Sequence, residues 1–140
     1  MNELTLKFTN EPNPVEKYID QVIEDAQNGF ASYTWEVMPK FGTTEQELRF
    51  SNVQNHLCAT LIRRHEADFT LYSLVVQGEE GEIVYKSTDF DFEQNDTTSL
   101  GRMYSAVQEA IAQAEWEKAT DIDPNLEPVE FVDRFITALL

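Results

Sequence analysis

The stretch Leu71–Phe92, LYSLVVQGEEGEIVYKSTDFDF, constrains the fold more than any other part of the chain. It predicts two β-strands joined by a turn at Gly78-Glu79-Glu80-Gly81. The first strand is apolar at both odd and even positions, which favours a central place in a sheet. Its apolar residues are Leu71, Tyr72, Leu74, Val75 and Val76.

The second strand begins with Ile83-Val84-Tyr85 and then alternates as Asp89-Phe90-Asp91-Phe92. Successive side chains of a strand point to opposite faces, so the alternation predicts one apolar side and one anionic side. We expect the phenylalanines to pack in the core and the aspartates to lie on an unusually acidic exterior.

The rest of the chain supplies short strands and amphipathic helices. A helix that begins near Pro14 and stops at Asn28-Gly29 has an apolar stripe at helical spacing. A second helix follows Gln94–Thr98, where Asp96, Thr97 and Thr98 are equally good candidates for its N-cap. The remaining predicted elements are strands at Leu4–Phe8, Phe30–Val37, Glu45–Val53 and Leu57–His65 and a last helix at Pro128–Leu140.

This order predicts an α+β fold. We expect a mostly antiparallel meander of about five to six strands with two or three helices packed on one face. The length of 140 residues favours a single domain, 1–140, that buries a real core without disulfides.

The chain carries 26 acidic and 10 basic residues, for a net charge of −16. Such a protein is repelled by nucleic-acid phosphates and by anionic lipid, so direct binding to nucleic acid or to membranes is not expected. A basic partner is favoured instead. Because no secretory signal or membrane span is visible and Cys58 is the only cysteine, we expect a cytoplasmic protein.

The charge is concentrated in two segments. Gln77–Asp96 and Glu115–Asp133 each hold seven acids against one lysine, whereas Gly29–Val76 is close to neutral. We expect these segments to form an acidic, partner-binding face, whose candidate residues are Glu79, Glu80, Glu82, Asp89, Asp91, Glu93, Asp96, Glu115, Glu117, Asp121 and Asp123.

Clustered carboxylates attract cationic surfaces and select against anionic competitors. The leading hypothesis is therefore a small non-enzymatic protein that binds a basic protein surface. Such a protein could be an inhibitor that mimics nucleic acid. The competing explanation is a solvated surface whose charge only keeps the protein soluble.

A second hypothesis is an adaptor or chaperone-like homodimer that binds a partner peptide. Its support is the helix predicted at Pro128–Leu140, which is apolar around much of its girth.

The third hypothesis, an enzyme, rests on Cys58 or on a pair of carboxylates. Cys58 lies in the apolar run LCATLI, where a buried thiol is an ordinary hydrophobe. The Asp89–Glu93 run lacks the glycine and the twelfth-position glutamate of a calcium loop, and His65-Glu66 lacks the second histidine of a zinc protease. We therefore expect no catalytic residue, metal site or cofactor.

Overall fold

A computed structural model describes residues 14–37 and 45–122. They form helix α1 (Pro14–Gln27), strands β1 (Tyr33–Val37), β2 (Glu45–Asn52), β3 (Cys58–His65), β4 (Thr70–Gln77) and β5 (Ile83–Asp91), and helix α2 (Ser99–Ile122). The strand predicted at Leu4–Phe8 and the helix predicted at Pro128–Leu140 lie outside these residues.

The five strands form one sheet in the order β1-β2-β3-β4-β5, with every neighbouring pair antiparallel. The predicted α+β meander is therefore confirmed, and β4 is an inner strand as its two apolar faces predicted. Leu48, Leu61 and Leu74 lie opposite one another on β2, β3 and β4, and all three are fully buried. We call the face that carries this row the inner face.

Both helices pack on the inner face and against each other. Ile19, Val22 and Ala26 are the buried positions of α1, and their spacing is that of one helical stripe. In α2 the buried stripe consists of Leu100, Met103, Tyr104, Val107 and Ile111. The two layers, sheet and helices, enclose a single hydrophobic core.

The end of α1 determines where the sheet begins. Gly29 has a φ of 104°, and the N–H groups of Gly29 and Phe30 bond to the carbonyls of Ala26 and Asp25 at 3.3 and 2.9 Å. This pair of bonds is a Schellman cap, which requires a left-handed residue after the helix. Gly29 takes that role, as the sequence predicted.

The strand predicted at Phe30–Val37 begins three residues later, at Tyr33. Phe30 has a φ of 59°, and its carbonyl accepts a turn hydrogen bond from the N–H of Tyr33 at 3.1 Å. The left-handed backbone turns the Phe30 ring into the core, where it stacks on Tyr33 with 4.1 Å between ring centroids. Phe30 therefore belongs to the core through a turn and not through a strand.

Candidate functional site

The turn between β4 and β5 presents three carboxylates to solvent. Glu79, Glu80 and Glu82 are all exposed. The turn is closed by backbone bonds from Gly78 N–H to the Glu82 carbonyl at 2.9 Å and from Gly81 N–H to the Gly78 carbonyl at 3.0 Å. We call these three residues the hairpin acids; they extend from an ordered turn and not from a loose loop.

The His56 imidazole lies beside this turn. Its Nδ1 lies 3.4 Å from a carboxylate oxygen of Glu79, and both side chains are well exposed. An exposed pair of this kind contributes little to stability, because solvent screens it. The hairpin acids are consequently available to a partner.

The next acids along β5, Asp89 and Asp91, point into the fold. Asp91 is 2% exposed and Asp89 is half-buried, whereas Phe90 is 54% exposed and Phe92 is 71% exposed. The expectation that the phenylalanines pack in the core and the aspartates face solvent is therefore wrong. Asp89 and Asp91 do not belong to an exposed acidic face.

The two inward aspartates accept backbone N–H groups near the start of α2. Asp89 accepts the N–H of Leu100, and Asp91 accepts the N–H of Asp96, each at 2.8 Å. The first N–H groups of a helix have no partner within the helix, and a carboxylate satisfies them with favourable charge. When these aspartates are buried, backbone N–H groups take the place of the water molecules that would hydrogen-bond to their carboxylates.

A β-bulge produces this orientation. Tyr85 pairs with Val76, but Ile83 pairs with Gln77, so one extra residue separates the two pairs on β5. If β5 continued from Ile83 without the bulge, Val84 would lie opposite Val76, and Lys86 and Thr88 would lie on the inner face in place of Ser87 and Asp89. A buried lysine without a partner costs far more than a carboxylate that accepts backbone bonds, which accounts for the observed register.

Asp96 is also engaged inside the fold. Its carboxylate accepts a hydrogen bond from the hydroxyl of Tyr72, a fully buried residue of β4. Asp96 has a φ of 59°, a left-handed conformation that aspartate tolerates better than most residues. The helix N-cap is Thr98 and not Asp96, because the Thr98 hydroxyl accepts the N–H of Gly101 at 3.0 Å.

The inner tyrosines act as neutral donors and packing groups. Burial raises the pKa of Tyr72, and the hydrogen bond to Asp96 raises this pKa further. Burial likewise raises the pKa of Tyr104, whose ring lies 4.3 Å beneath the Arg63 guanidinium. Arg63 in turn donates to Gln46. Arg63 thus connects Tyr104 to Gln46. Because the pKa values of Tyr72 and Tyr104 are raised, both phenols are protonated at neutral pH.

On α2, Glu115 and Glu117 differ in the same way as the β5 acids. Glu115 is half-buried, accepts the indole N–H of Trp35 at 2.9 Å and lies 3.6 Å from Lys118. Glu117 is exposed and accepts a long 3.3 Å bond from the side-chain amide of Gln113. Glu115 therefore joins α2 to β1, whereas Glu117 faces solvent. Asp121 lies in the last turn of α2, its side chain outside what the structure describes, and Asp123 lies beyond the described residues.

The structure does not bring the predicted acidic residues together. The hairpin acids precede β5 and the exposed Glu93 follows it, so they lie at opposite ends of a nine-residue strand, roughly 27 Å apart at about 3.3 Å per residue. Other exposed acids lie on the helices at positions that sequence reasoning did not single out, namely Asp20 and Glu24 in α1 and Glu109 in α2.

An open groove of about 530 Å³ runs between the two helices. Its floor is made of small residues such as Ala26, Ala106 and Ala110, and Glu109 and Glu117 lie at its rim. Neither a nucleophile nor a histidine lines it. The groove therefore adds two exposed carboxylates to the helical layer.

Cys58, His65 and His56 are the nucleophile and imidazole side chains that the sequence offers for chemistry. Cys58 is half-buried, His65 Nδ1 lies 3.2 Å from the Thr70 hydroxyl, and His56 is next to Glu79. Within residues 14–37 and 45–122, no group of three or more histidine, cysteine or acidic side chains could hold a metal ion. The described part of the chain also contains no helix with the length and apolar character needed to cross a bilayer.

Comparison with known proteins adds no relative: no family model, no curated protein and no solved structure matches this chain.

Proposed function

We propose that this protein is a non-enzymatic interaction protein that binds a basic surface on another protein through its exposed carboxylates. The observation that supports the proposal is the division of the acids into two groups. Asp89, Asp91, Asp96 and Glu115 accept hydrogen bonds from the fold itself. The hairpin acids are exposed and project from an ordered turn.

The hairpin acids are the centre of the proposed contact. Three carboxylates within four residues create a local negative potential, and the backbone bonds of the turn hold them in place before binding. A rigid, like-charged turn speeds encounter with a cationic surface and discriminates against anionic ones. A surface of lysine and arginine that recognises phosphates has the complementary charge, so this protein would compete with nucleic acid where a partner binds both.

Charge reversal at two places tests the proposal. One variant carries Glu79→Lys, Glu80→Lys and Glu82→Lys. The matched control carries Asp20→Lys, Glu24→Lys and Glu109→Lys, which changes the net charge equally but on the exposed helical layer. Each immobilised protein is incubated with a native lysate of its source cells, and bound proteins are eluted with a salt gradient and identified.

We expect the wild-type protein and the control to retain the same basic proteins, which salt releases because exposed charges are screened. The hairpin variant should lose them. Equal retention by all three proteins, or partners that remain bound at high salt, would contradict the proposal.

A further inference from the structure

Three phenylalanine rings form an exposed cluster at the end of the sheet that is remote from the hairpin acids. Phe69, Phe90 and Phe92 lie with ring centroids 5.7 to 6.3 Å apart. Phe90 and Phe92 are each more than half exposed, whereas Phe69 is partly buried. We call these three residues the phenylalanine cluster. It lies on the face of the sheet opposite the helices, which we call the outer face.

The fold does not require aromatic residues at these positions. Asp89 and Asp91 must point inward because they accept backbone donors near α2, so position 90 between them points outward. Earlier outward positions of the same strand carry Lys86 and Thr88, which are ordinary residues for a solvent-facing strand. Large apolar side chains that gather on a surface mark a contact site.

The surroundings of the cluster are acidic. Asp68 and Glu93 are the chain neighbours of Phe69 and Phe92, and both are exposed. Arg64, whose strand position pairs with Leu71 beside the cluster, is bound to Glu66 at 2.7 Å, so its charge is matched. An occupant with apolar groups next to Lys or Arg would complement both the rings and the carboxylates.

The same charges argue against a second copy as the occupant. Two chains of net charge −16 that met at this face would bring Asp68 and Glu93 of each copy close to those of the other. Like charges at an interface oppose association unless they are paired. A basic partner avoids this cost and gains attraction from the same residues.

We propose that the phenylalanine cluster is the apolar anchor site for a segment of a basic partner protein in which hydrophobic side chains alternate with Lys or Arg. This inference rests on the proposed function, because it supplies the specificity that the hairpin acids lack. Hydrophobic side chains of the segment would cover Phe90 and Phe92, and its cations would lie near Asp68 and Glu93. A cation can also lie over the face of a phenylalanine ring.

Two synthetic peptides serve as probes. One alternates leucine and lysine, and the other has the same charge but carries serine in place of every leucine. Affinity is measured by fluorescence anisotropy for the wild-type protein and for the double variant Phe90→Ser, Phe92→Ser. The matched control is Ile83→Ser, Val84→Ser, which removes two exposed apolar side chains, 60% and 41% exposed, from the other end of the same strand.

We expect the wild-type protein and the Ile83/Val84 control to bind the leucine peptide at least tenfold more tightly than the serine peptide. The Phe90/Phe92 variant should bind the two peptides equally while keeping the circular dichroism spectrum and thermal midpoint of a folded protein. A wild-type protein that does not prefer the leucine peptide, or a preference that survives in the Phe90/Phe92 variant, would overturn the inference.

The outcomes separate this inference from the proposed function. If the hairpin lysine variant loses the salt-sensitive partners but the Phe90/Phe92 variant keeps the leucine preference, only the anchor site is wrong. If the Phe90/Phe92 variant loses the preference but the hairpin variant keeps its partners, the anchor site stands and the electrostatic contact is wrong. A wild-type dimer in sedimentation that the Phe90/Phe92 substitutions convert to a monomer would identify a second copy as the occupant and overturn the inference.

Discussion

The carboxylate of Asp89 in β5 accepts the backbone N–H of Leu100 in α2 at 2.8 Å. The two residues are eleven positions apart, so this bond connects the last described strand to the first turn of the helix that follows it. Thr98 satisfies the next N–H, that of Gly101. The first turn of α2 is therefore capped by two groups, the hydroxyl of Thr98 and the carboxylate of Asp89 from the sheet.

The Asp89→Ala substitution should lower the free energy of unfolding by about 1–2 kcal/mol, because it leaves the Leu100 N–H without its acceptor and removes a negative charge from a helix N-terminus. Asp89→Asn should lose less, since its amide oxygen can still accept. Urea denaturation monitored by circular dichroism measures both values. The control is Glu93→Ala, an exposed acid just beyond the same strand, which we expect to stay within about 0.5 kcal/mol of wild type. Equal stability of the Asp89→Ala and Glu93→Ala variants would contradict a structural role for Asp89.

A comparison of Glu115 and Glu117 tests whether two acids on one helix have different roles. Glu115→Ala removes the acceptor of the Trp35 indole N–H and should lower the free energy of unfolding by about 1 kcal/mol, since the bond is only part-buried. Glu117→Ala should change stability by less than about 0.5 kcal/mol, because that side chain is exposed. Chemical denaturation of the two variants side by side gives the difference. A larger loss at Glu117 than at Glu115 would reverse the assignment.

Gly29→Ala should destabilise the protein by about 1 kcal/mol even though an added methyl group would contact nothing within 4 Å. The cost arises from the backbone alone, because a φ of 104° is strained for a residue with a Cβ. Gly29→Asn should cost less, since asparagine is the residue that most often replaces glycine in a helix cap. Thermal denaturation compares the two. An alanine variant as stable as the wild-type protein would show that the cap relaxes without cost.

Alkaline pH should weaken the fold through its buried tyrosines. Burial raises the pKa of Tyr18, Tyr33, Tyr72 and Tyr104 above the ordinary value of 10.0. A raised pKa in the folded state means that the unfolded chain loses these protons first. The stabilisation is therefore complete below pH 10 and declines as the pH rises from there toward the folded-state values.

Ultraviolet absorbance of phenolate measures this ionisation, and circular dichroism measures unfolding in the same samples. We expect these four tyrosines to ionise only as the protein unfolds. Full ionisation of all tyrosines near pH 10 with an unchanged circular dichroism spectrum would contradict their burial.

Within the described residues, the local sequence pattern predicted which segments are helices and which are strands. The stripe of α1 and its stop at Gly29 were both readable, because helical spacing and a left-handed glycine are local signals. Leu48 and Phe50 of β2 alternate with polar residues, a pattern that predicts one buried face, and the structure buries both. Phe30 was the exception, because its burial depends on a left-handed backbone conformation that its sequence neighbours do not predict.

The candidate site could be predicted only in part. Exposure of the hairpin acids followed from their place in a turn. The direction of Asp89 and Phe90 did not, because alternation identifies two faces without saying which one the helices cover. That choice depends on the bulge between Ile83 and Tyr85 of β5 and on the backbone N–H groups of Asp96 and Leu100. Hydrophobicity predicted that Phe90 is buried. The backbone N–H groups near the start of α2 need acceptors, and Asp89 and Asp91 point inward to provide them.

The bulge next to the β4–β5 turn also limits how this segment of the chain can change in length. Removal of the extra residue between Ile83 and Tyr85 would leave Tyr85 opposite Val76 in a regular ladder, so Asp89 and Asp91 would still point inward. Removal of one residue of β5 after Tyr85 would instead turn every later side chain to the opposite face. Phe90 would then lie against the helices, and the Leu100 N–H would lose its acceptor Asp89. The connection between β4 and β5 can therefore lose its extra residue without reversing a face, whereas the part of β5 after Tyr85 cannot change by one residue in length.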